Sequence, residues 1–141
     1  MRGRTPAGCS ALNMRGCLAC VIAVVLLAGC GRSRPAEPGA AETGIASYYA
    51  HKFHGRTTAS GEVYDETRMT AAHKELPFGT RIRVTNLENG REAEFRVTDR
   101  GPFVKGRIVD VSYQGAKELD FVREGIVRVR LEVLSVPRTG S

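Results

Sequence analysis

The chain has 141 residues, of which 42% are hydrophobic and 26% are charged, ordinary globular usage that excludes a wholly disordered chain and a polytopic membrane protein. This length predicts a single folded domain. Its 21 Lys and Arg residues outnumber its 15 Asp and Glu residues, which gives a formal charge of +6. The sequence matches no Walker phosphate loop, glycine-rich dinucleotide fingerprint or EF-hand loop, so these common nucleotide and calcium sites are excluded.

The first 29 residues have the pattern of an export signal. Three arginines, Arg2, Arg4 and Arg15, precede an apolar run from Cys17 to Ala28. As a helix, residues 17–30 would be roughly 21 Å long at about 1.5 Å per residue, whereas a bilayer core is roughly 30 Å thick. The run therefore predicts a signal peptide over residues 1–29 and not a membrane span.

The segment that ends this run, Leu27-Ala28-Gly29-Cys30, resembles the lipobox of bacterial lipoproteins. In such proteins the cysteine thiol is diacylated, the chain is cut before the cysteine, and the new N-terminus is acylated. The resemblance implies a membrane anchor at Cys30, and several acyl chains together make such an anchor stable. The alternative is an ordinary signal peptide with an incidental cysteine.

Residue 31 refines the expected location of the anchored protein. It is Gly31, and not the Asp that commonly retains lipoproteins in the inner membrane. We therefore expect a protein of the cell envelope, attached to the periplasmic face of the outer membrane if the host is Gram-negative.

The segment after Cys30 reads as a tether that precedes a domain without cysteines. All four cysteines lie at or before residue 30, so we expect neither disulfides nor thiol catalysis. Beyond the signal the charge is 18 − 15 = +3, and we expect no nucleic-acid partner. Residues 31–43, rich in Pro, Ala, Gly and Glu, predict a flexible tether that spans at most about 43–47 Å. The domain is expected over residues 44–134, with a short tail over 135–141.

The domain has the alternation of β-strands with one buried face. The pattern is clearest in the segments 127–133, 91–99 and 81–85. Asn89-Gly90 between the last two predicts a hairpin with a type I′ turn, because both residues tolerate a positive φ. Ile108–Val111 is a short apolar run that predicts a strand buried on both faces.

A short helix is expected between the last two strands. Ser112 can cap it, and it would run to about Leu119 with Ala116 and Leu119 facing inward. About six short strands and one or two short helices in some ninety residues predict an all-β domain closed into a compact barrel.

A series of short motifs occurs in order along the domain. They are Gly44-Ile45-Ala46-Ser47-Tyr48-Tyr49, Phe53-His54-Gly55-Arg56, Thr58-Ala59-Ser60-Gly61-Glu62, Thr70-Ala71-Ala72-His73-Lys74, Leu76-Pro77-Phe78-Gly79-Thr80, Val84-Thr85-Asn86, Asp99-Arg100-Gly101-Pro102-Phe103 and Gly106-Arg107-Ile108-Val109-Asp110-Val111-Ser112. Together they resemble the rare lipoprotein A (RlpA-like) family over essentially the whole domain.

The resemblance implies a six-stranded double-psi β-barrel. Members of the family are lipoproteins that include septal lytic transglycosylases, which cleave the β-1,4 bond between N-acetylmuramic acid and N-acetylglucosamine and leave 1,6-anhydro ends. It implies peptidoglycan glycan strands as the partner and no cofactor. Many members also carry a C-terminal SPOR domain, whereas this chain ends seven residues after Leu134. Septal recruitment is therefore not expected of this chain by itself.

The positions regarded as catalytic in this family correspond to Glu62, His73 and Asp99 of this chain. We expect Asp99 to be the general acid/base, Glu62 to stabilise positive charge or orient the acid, and His73 to support them, although the two carboxylates can exchange roles. Counting by twos from Ala93 places Asp99 on the inward face at the end of its strand. The alternative is that Asp99 caps a turn or pairs with Arg100 or Arg107.

Four further residues are candidates for substrate binding. They are Tyr48, Tyr49, Arg100 and Phe103. The two tyrosines can stack on sugar faces or belong to the core.

Three other functions are compatible with parts of the sequence. His51, His54 and His73 with a carboxylate could form a zinc site, although we expect no metal. An aspartic protease is disfavoured, because Arg100 stands where the protease motif needs Thr or Ser between Asp and Gly. The main alternative is a non-catalytic glycan-binding module of the expansin type.

Overall fold

The computed structural model describes residues 36–138, and the signal segment, Cys30 and residues 31–35 of the expected tether lie outside them. Within this range there are six β-strands, one α-helix and one turn of 3-10 helix. In chain order they are β1 (Ala41–Tyr48), the 3-10 turn (His51–Phe53), β2 (Thr70–His73), β3 (Arg81–Asn86), β4 (Glu92–Asp99), β5 (Arg107–Val111), α1 (Tyr113–Glu118) and β6 (Ile126–Ser135).

The six strands form one closed barrel in the order β1-β5-β2-β4-β3-β6. The pairs β1/β5 and β2/β4 are parallel, and the remaining four pairs are antiparallel. Closure leaves no strand edge unpaired, which a small barrel needs to avoid association with other chains. The prediction of a closed six-stranded barrel is confirmed. No helix among residues 36–138 has both the length and the apolar character to cross a membrane.

The interior is filled by the alternating apolar residues of the strands. On β6 the odd-numbered residues from Val127 to Val133 are at most 3% exposed, while Arg128 and Arg130 face solvent. β3 and β4 contribute Ile82, Val84, Phe95 and Val97 to the same core.

The helix α1 closes one end of this core. Its N-cap is Ser112, as predicted, whose Oγ accepts a hydrogen bond from the Gly115 backbone N at 3.1 Å. Gly115 lies against Phe95, so close that a Cβ there would stand 2.2 Å from the ring. Ala116 and Leu119 are fully buried, which confirms their inward orientation.

The domain begins earlier than expected from composition. β1 starts at Ala41, so residues 41–43, assigned to the tether by their composition, pair with β6. The Gly39 N also donates to the Val133 carbonyl at 2.8 Å. Backbone pairing, which composition does not report, orders this part of the chain.

The hairpin between β3 and β4 is present, but its turn is not the predicted type I′. The loop spans residues 87–91, and the Gly90 N donates to the Asn86 carbonyl at 2.8 Å. Gly90 has a positive φ of 75°, whereas Asn89 does not. The Asn86 and Asn89 side chains instead donate to the Leu119 carbonyl, each at 3.0 Å, and this contact selects the longer loop.

A bulge in β4 overturns the predicted inward orientation of Asp99. Val97 pairs with Ala71, but the next residue of β2, Ala72, pairs with Asp99, so Thr98 is an extra residue. A bulge shifts the alternation by one and re-aims the side chains beyond it. Val97 therefore faces the core, and Asp99 lies on the outer face of the sheet.

The prediction that Ile108–Val111 is buried on both faces is also wrong. Val109 and Val111 are fully buried, but Ile108 and Asp110 are only partly buried. The strand alternates, with Asp110 on the outer face.

Candidate active site

A row of four residues crosses the outer face of the barrel at one level. Ser47 of β1 pairs with Asp110 of β5, Asp110 pairs with Ala72 of β2, and Ala72 pairs with Asp99 of β4. Residues that are directly paired across neighbouring strands point to the same face. The row thus places two carboxylates on one face, on either side of an alanine.

Asp99 is held by three hydrogen-bond donors from separate parts of the chain. Its Oδ1 accepts from the backbone N of Ala59 and from that of Arg100, both at 2.9 Å. Its Oδ2 accepts from the Tyr49 hydroxyl at 2.7 Å. A carboxylate offers about four acceptor positions, so these donors leave one position on Oδ2 for a ligand.

Tyr49 connects the end of β1 to the carboxylate on β4. Its ring packs against Tyr64 and Phe53, with centroids 4.8 Å and 5.9 Å away. Burial raises the pKa of the Tyr49 hydroxyl far above its usual range, and the hydrogen bond to Asp99 and the charges of Asp99 and Asp110 add to this effect. Tyr49 therefore remains a hydrogen-bond donor throughout the physiological range.

Glu62 lies near Asp99 but does not contact it. Both oxygens of Glu62 accept from the Arg96 guanidinium at 2.7 Å, and this hydrogen-bonded pair lowers the pKa of Glu62. Arg96 pairs with Thr70, so Arg96 and Asp99 hold successive outer-face positions on β4. The loop that carries Glu62 is the one whose Ala59 N reaches Asp99, so the Arg96 pair anchors that loop beside the carboxylate.

His73 is buried, and both of its ring nitrogens have partners inside the protein. Nδ1 accepts from the backbone N of Glu75 and of Leu76, at 3.1 Å and 3.0 Å. Nε2 must then carry the proton, and it donates to the Glu42 carboxylate at 2.7 Å. The ring fixes the turn after β2 and does not contact Asp99.

Arg100 links that turn to Asp99. Its Nη1 donates to the carbonyls of His73 and Leu76 at 3.2 Å and 2.8 Å, and its guanidinium lies 3.9 Å from the centre of the Phe78 ring. These contacts fix the backbone N that donates to Asp99. The guanidiniums of Arg100 and Arg107 both point elsewhere, so neither forms the ion pair with Asp99 that the sequence left open.

The remaining candidates for substrate binding divide between the core and the surface. Tyr48 pairs with Val111 on the core face, packs edge-on against Phe121 and donates to the Val122 carbonyl at 3.1 Å. Its hydroxyl hydrogen bond is therefore to the Val122 carbonyl and not to Asp99. Phe103 is 84% exposed and lies four residues beyond Asp99, where its ring is open to a ligand.

Asp110 and the residues that hold it were not among the site residues predicted from the sequence. Asp110 Oδ1 accepts from the Ser47 hydroxyl at 2.5 Å and from Arg107 Nη2 at 2.5 Å. Arg107 Nη2 also donates to Ser47 Oγ. The polar residue between Val109 and Val111 was the available signal, and the assumption of a strand buried on both faces concealed it.

The three histidines considered for zinc do not come together, because His51 and His54 both contact Glu66 whereas His73 contacts Glu42. His51 pairs with Glu66 at 2.5 Å, His54 accepts from the Glu66 backbone N at 3.2 Å, and His73 pairs with Glu42. Among residues 36–138 no three His, Cys, Asp or Glu side chains are close enough to hold a metal ion together.

The family is decided by a match to the lytic transglycolase family model over residues 41–131, the barrel itself. This chain belongs to the lytic transglycolase family. The match confirms the double-psi barrel and the RlpA-like resemblance of the motifs.

Curated relatives are about half identical to this chain over about 100 residues. The chain is 50% identical over 102 residues to "Endolytic peptidoglycan transglycosylase RlpA" of Pasteurella multocida, covering 72% of this chain and 35% of that protein. It is 49% identical over 100 residues to the protein of the same name from Vibrio cholerae, covering 71% and 38%. The chain thus spans little more than a third of the length of these relatives.

Solved structures share the fold at lower identity. The Streptomyces papain inhibitor superposes with a TM-score of 0.58 at 21% identity, over 70% of this chain and 97% of that one. The expansin of Clavibacter michiganensis superposes with a TM-score of 0.55 at 20% identity, over 72% and 54%. These likenesses show the barrel fold alone.

Proposed function

We propose that this chain is an endolytic peptidoglycan transglycosylase, which cleaves the β-1,4 bond between N-acetylmuramic acid and N-acetylglucosamine in cell-wall remodelling. The observation that carries the proposal is Asp99, a carboxylate on the outer face with three fixed donors and one acceptor position open. The family match and the names of the relatives support the reaction class.

In this mechanism Asp99 acts as both acid and base. The C1–O4 bond breaks, its electron pair passes to O4, and O4 takes a proton from Asp99 Oδ2. The C6 hydroxyl of the same muramic acid then bonds to C1 and returns its proton to Asp99. One residue suffices for both proton transfers, no water is consumed, and a 1,6-anhydro end results.

The other two residues of the proposed set act through the orientation of Asp99. Glu62 and Arg96 anchor the loop that supplies the Ala59 N, and His73 anchors the turn that fixes Arg100. Both backbone donors meet at Oδ1, so Oδ2 is left facing the substrate. A general acid held in one orientation avoids the loss of rate that small misplacements cause.

The substrate would reach this carboxylate from the side of Phe103. The exposed ring of Phe103 lies four residues beyond the half-buried Asp99, whereas Ser47 and Ala72 of the row are buried. Phe103 offers an aromatic face to a sugar ring.

We also propose that the protein acts while anchored in the cell envelope by lipid at Cys30. The support is the lipobox-like Leu27-Ala28-Gly29-Cys30 and the basic start of the chain. The segment from residue 31 to β1 would then hold the barrel within reach of the adjacent cell wall.

The test is the chemistry of the products released from purified sacculi by the protein. Mass spectrometry is expected to find muropeptides with 1,6-anhydromuramic ends, each lighter by one water than a hydrolysis product. Reducing ends would indicate a hydrolase. Binding to sacculi with no released product would indicate the non-catalytic, expansin-type module instead.

A further inference from the structure

Two carboxylates, and not one, lie on the face where the substrate is proposed to bind. Asp99 and Asp110 both pair with Ala72, from strands on either side of β2. Strands two apart in a sheet are separated by about 9.5 Å, which is the separation of the two backbones. This value lies at the upper end of the roughly 6.5–9.5 Å between the paired carboxylates of inverting glycosidases, so both side chains are within reach of one bound sugar ring.

Asp110 has one oxygen fixed and one open. Oδ1 accepts from Ser47 and Arg107, whereas Oδ2 has no donor among residues 36–138. The Asp110 side chain is 15% exposed, and Oδ2 is not among the buried atoms without a partner. It therefore reaches solvent on the outer face as an unused acceptor.

Glu62 is less suited to the electrostatic role in this site. Both of its oxygens are bound by the Arg96 guanidinium, whereas Asp110 Oδ2 has no donor in the described part of the chain. Asp110 shares only one oxygen with Arg107. The Nε of Arg107 is buried and has no hydrogen-bond partner in the described part of the chain. Arg107 therefore holds Asp110 although one of its own donors is left unsatisfied.

We propose that Asp110 is a second catalytic carboxylate, whose open Oδ2 stabilises the positive charge that develops on the muramic acid ring when the C1–O4 bond breaks. The inference rests on the transglycosylase function proposed above. Asp110 gains and loses no proton in this step. Proton transfer stays with Asp99, and the ring charge disappears when O6 bonds to C1. Charge placed beforehand where the transition state needs it is an effective form of catalysis.

The first experiment measures kcat and KM of Asp110→Asn on soluble glycan strands. The variant keeps the size of the side chain and the acceptor for Arg107 but removes the charge. We expect kcat to fall at least about 100-fold with KM within about threefold, since the charge is needed in the transition state more than in the bound ground state. The matched control is Asp120→Asn, an exposed aspartate after α1, with unchanged kinetics.

The second experiment does not depend on the folding of that variant. In an Asp99→Asn background, Asp110 is the remaining open carboxylate of the row. A protonated piperidine iminosugar is expected to bind at least tenfold more tightly than an uncharged lactam of the same shape. Equal binding of the two would overturn the assignment.

The outcomes separate this inference from the proposed function. If the wild type is active and a folded Asp110→Asn variant keeps its kcat within threefold, the catalytic role of Asp110 is rejected and the transglycosylase function stands. A wild type that releases no anhydromuropeptides rejects the transglycosylase function itself.

Discussion

At the residue scale, the orientation of Asp99 depends on donors that lie far apart in sequence. Tyr49 follows β1, Ala59 belongs to the loop before β2, and Arg100 follows β4. Tyr49 is the one side chain among them, so its contribution can be removed without altering the backbone. The neighbouring Tyr48, whose hydroxyl does not contact Asp99, provides the control for such a substitution.

Tyr49→Phe is expected to slow turnover by roughly tenfold to a hundredfold while the fold is kept. It removes one hydrogen bond to a charged group, an interaction of about 1.5–3 kcal/mol. Tyr48→Phe is the control, because its hydroxyl bonds to the Val122 carbonyl and not to Asp99. Release of anhydromuropeptides measures both. Equal rates for Tyr49→Phe and the wild type would show that the Asp99 contact is irrelevant to catalysis.

The pKa of Tyr49 also predicts how stability depends on pH. Burial and then the hydrogen bond to Asp99 raise the pKa of Tyr49 in the folded state, whereas an unfolded tyrosine titrates near about 10. The resulting stabilisation is fully present below pH about 10 and is lost as the pH rises further, because the unfolded chain then releases a proton that the folded chain retains. Urea unfolding between pH 9 and 11 is expected to show a steeper loss for the wild type than for Tyr49→Phe. The raised pKa of Tyr64 is common to both proteins and does not affect the comparison. The same pH dependence of the unfolding free energy in both proteins would contradict the prediction.

At the scale of elements, one bulge decides what the site contains. If β4 kept strict alternation beyond Val97, Asp99 would point into the core. The extra residue Thr98 turns Asp99 to the face that already carries Arg96 and Asp110. The site is therefore assembled from the outer sides of four neighbouring strands and the loop that covers them.

The loop anchored by Glu62 and Arg96 can be tested by a double-mutant cycle. Glu62→Gln and Arg96→Gln are each expected to slow turnover by about tenfold, and the double variant no further, because both break one anchor. The melting temperature should change little, since an exposed ion pair contributes about 0–1 kcal/mol. Arg83→Gln, in the looser surface pair with Glu94 at 3.5 Å, is the control. A much larger effect of Glu62→Gln than of Arg96→Gln would instead place Glu62 directly on the substrate.

The sequence predicted the elements of this fold better than the orientation of its side chains. Alternation revealed the faces of β6 and most of β4, and Ser112 marked the start of α1. The bulge at Thr98 and the longer loop at Asn89 depend on pairings with β2 and on the Leu119 carbonyl, which are distant in sequence. Local patterns do not contain such partners.

The residues of the candidate site were likewise predicted from the sequence better than their contacts. The family motifs brought Asp99, Glu62 and His73 to notice, but only the structure shows that Glu62 and His73 bind protein groups and not Asp99 itself. The role of Asp110 depends on its pairing with Ala72 across the sheet. A pairing of this kind has no signature in a single sequence.

At the scale of the whole molecule, the candidate site on the outer face and the proposed anchor would act together. A barrel that binds a polymer across its surface needs no enclosed pocket, and attachment to the membrane would keep it close to the wall. The proposed anchor depends on one residue, Cys30, which lies outside the described range.

Cys30→Ala is expected to abolish lipid labelling and to leave the protein uncleaved or released from the membrane fraction. The cause is chemical, because the thiol is the acceptor of the first acyl group. Metabolic labelling with a palmitate analogue and membrane fractionation measure this, with Cys20→Ala as the control. A labelled, normally processed Cys30→Ala protein would reject the lipobox assignment.

The most direct test of the central claim is the release of anhydromuropeptides from sacculi by Asp99→Asn, with a thermal melt of the same sample. The substitution keeps size and shape but removes the exchangeable proton. Turnover is expected to fall by roughly 10²–10⁴-fold, with a melting temperature close to that of the wild type. A folded Asp99→Asn protein that releases product at the wild-type rate would contradict the account.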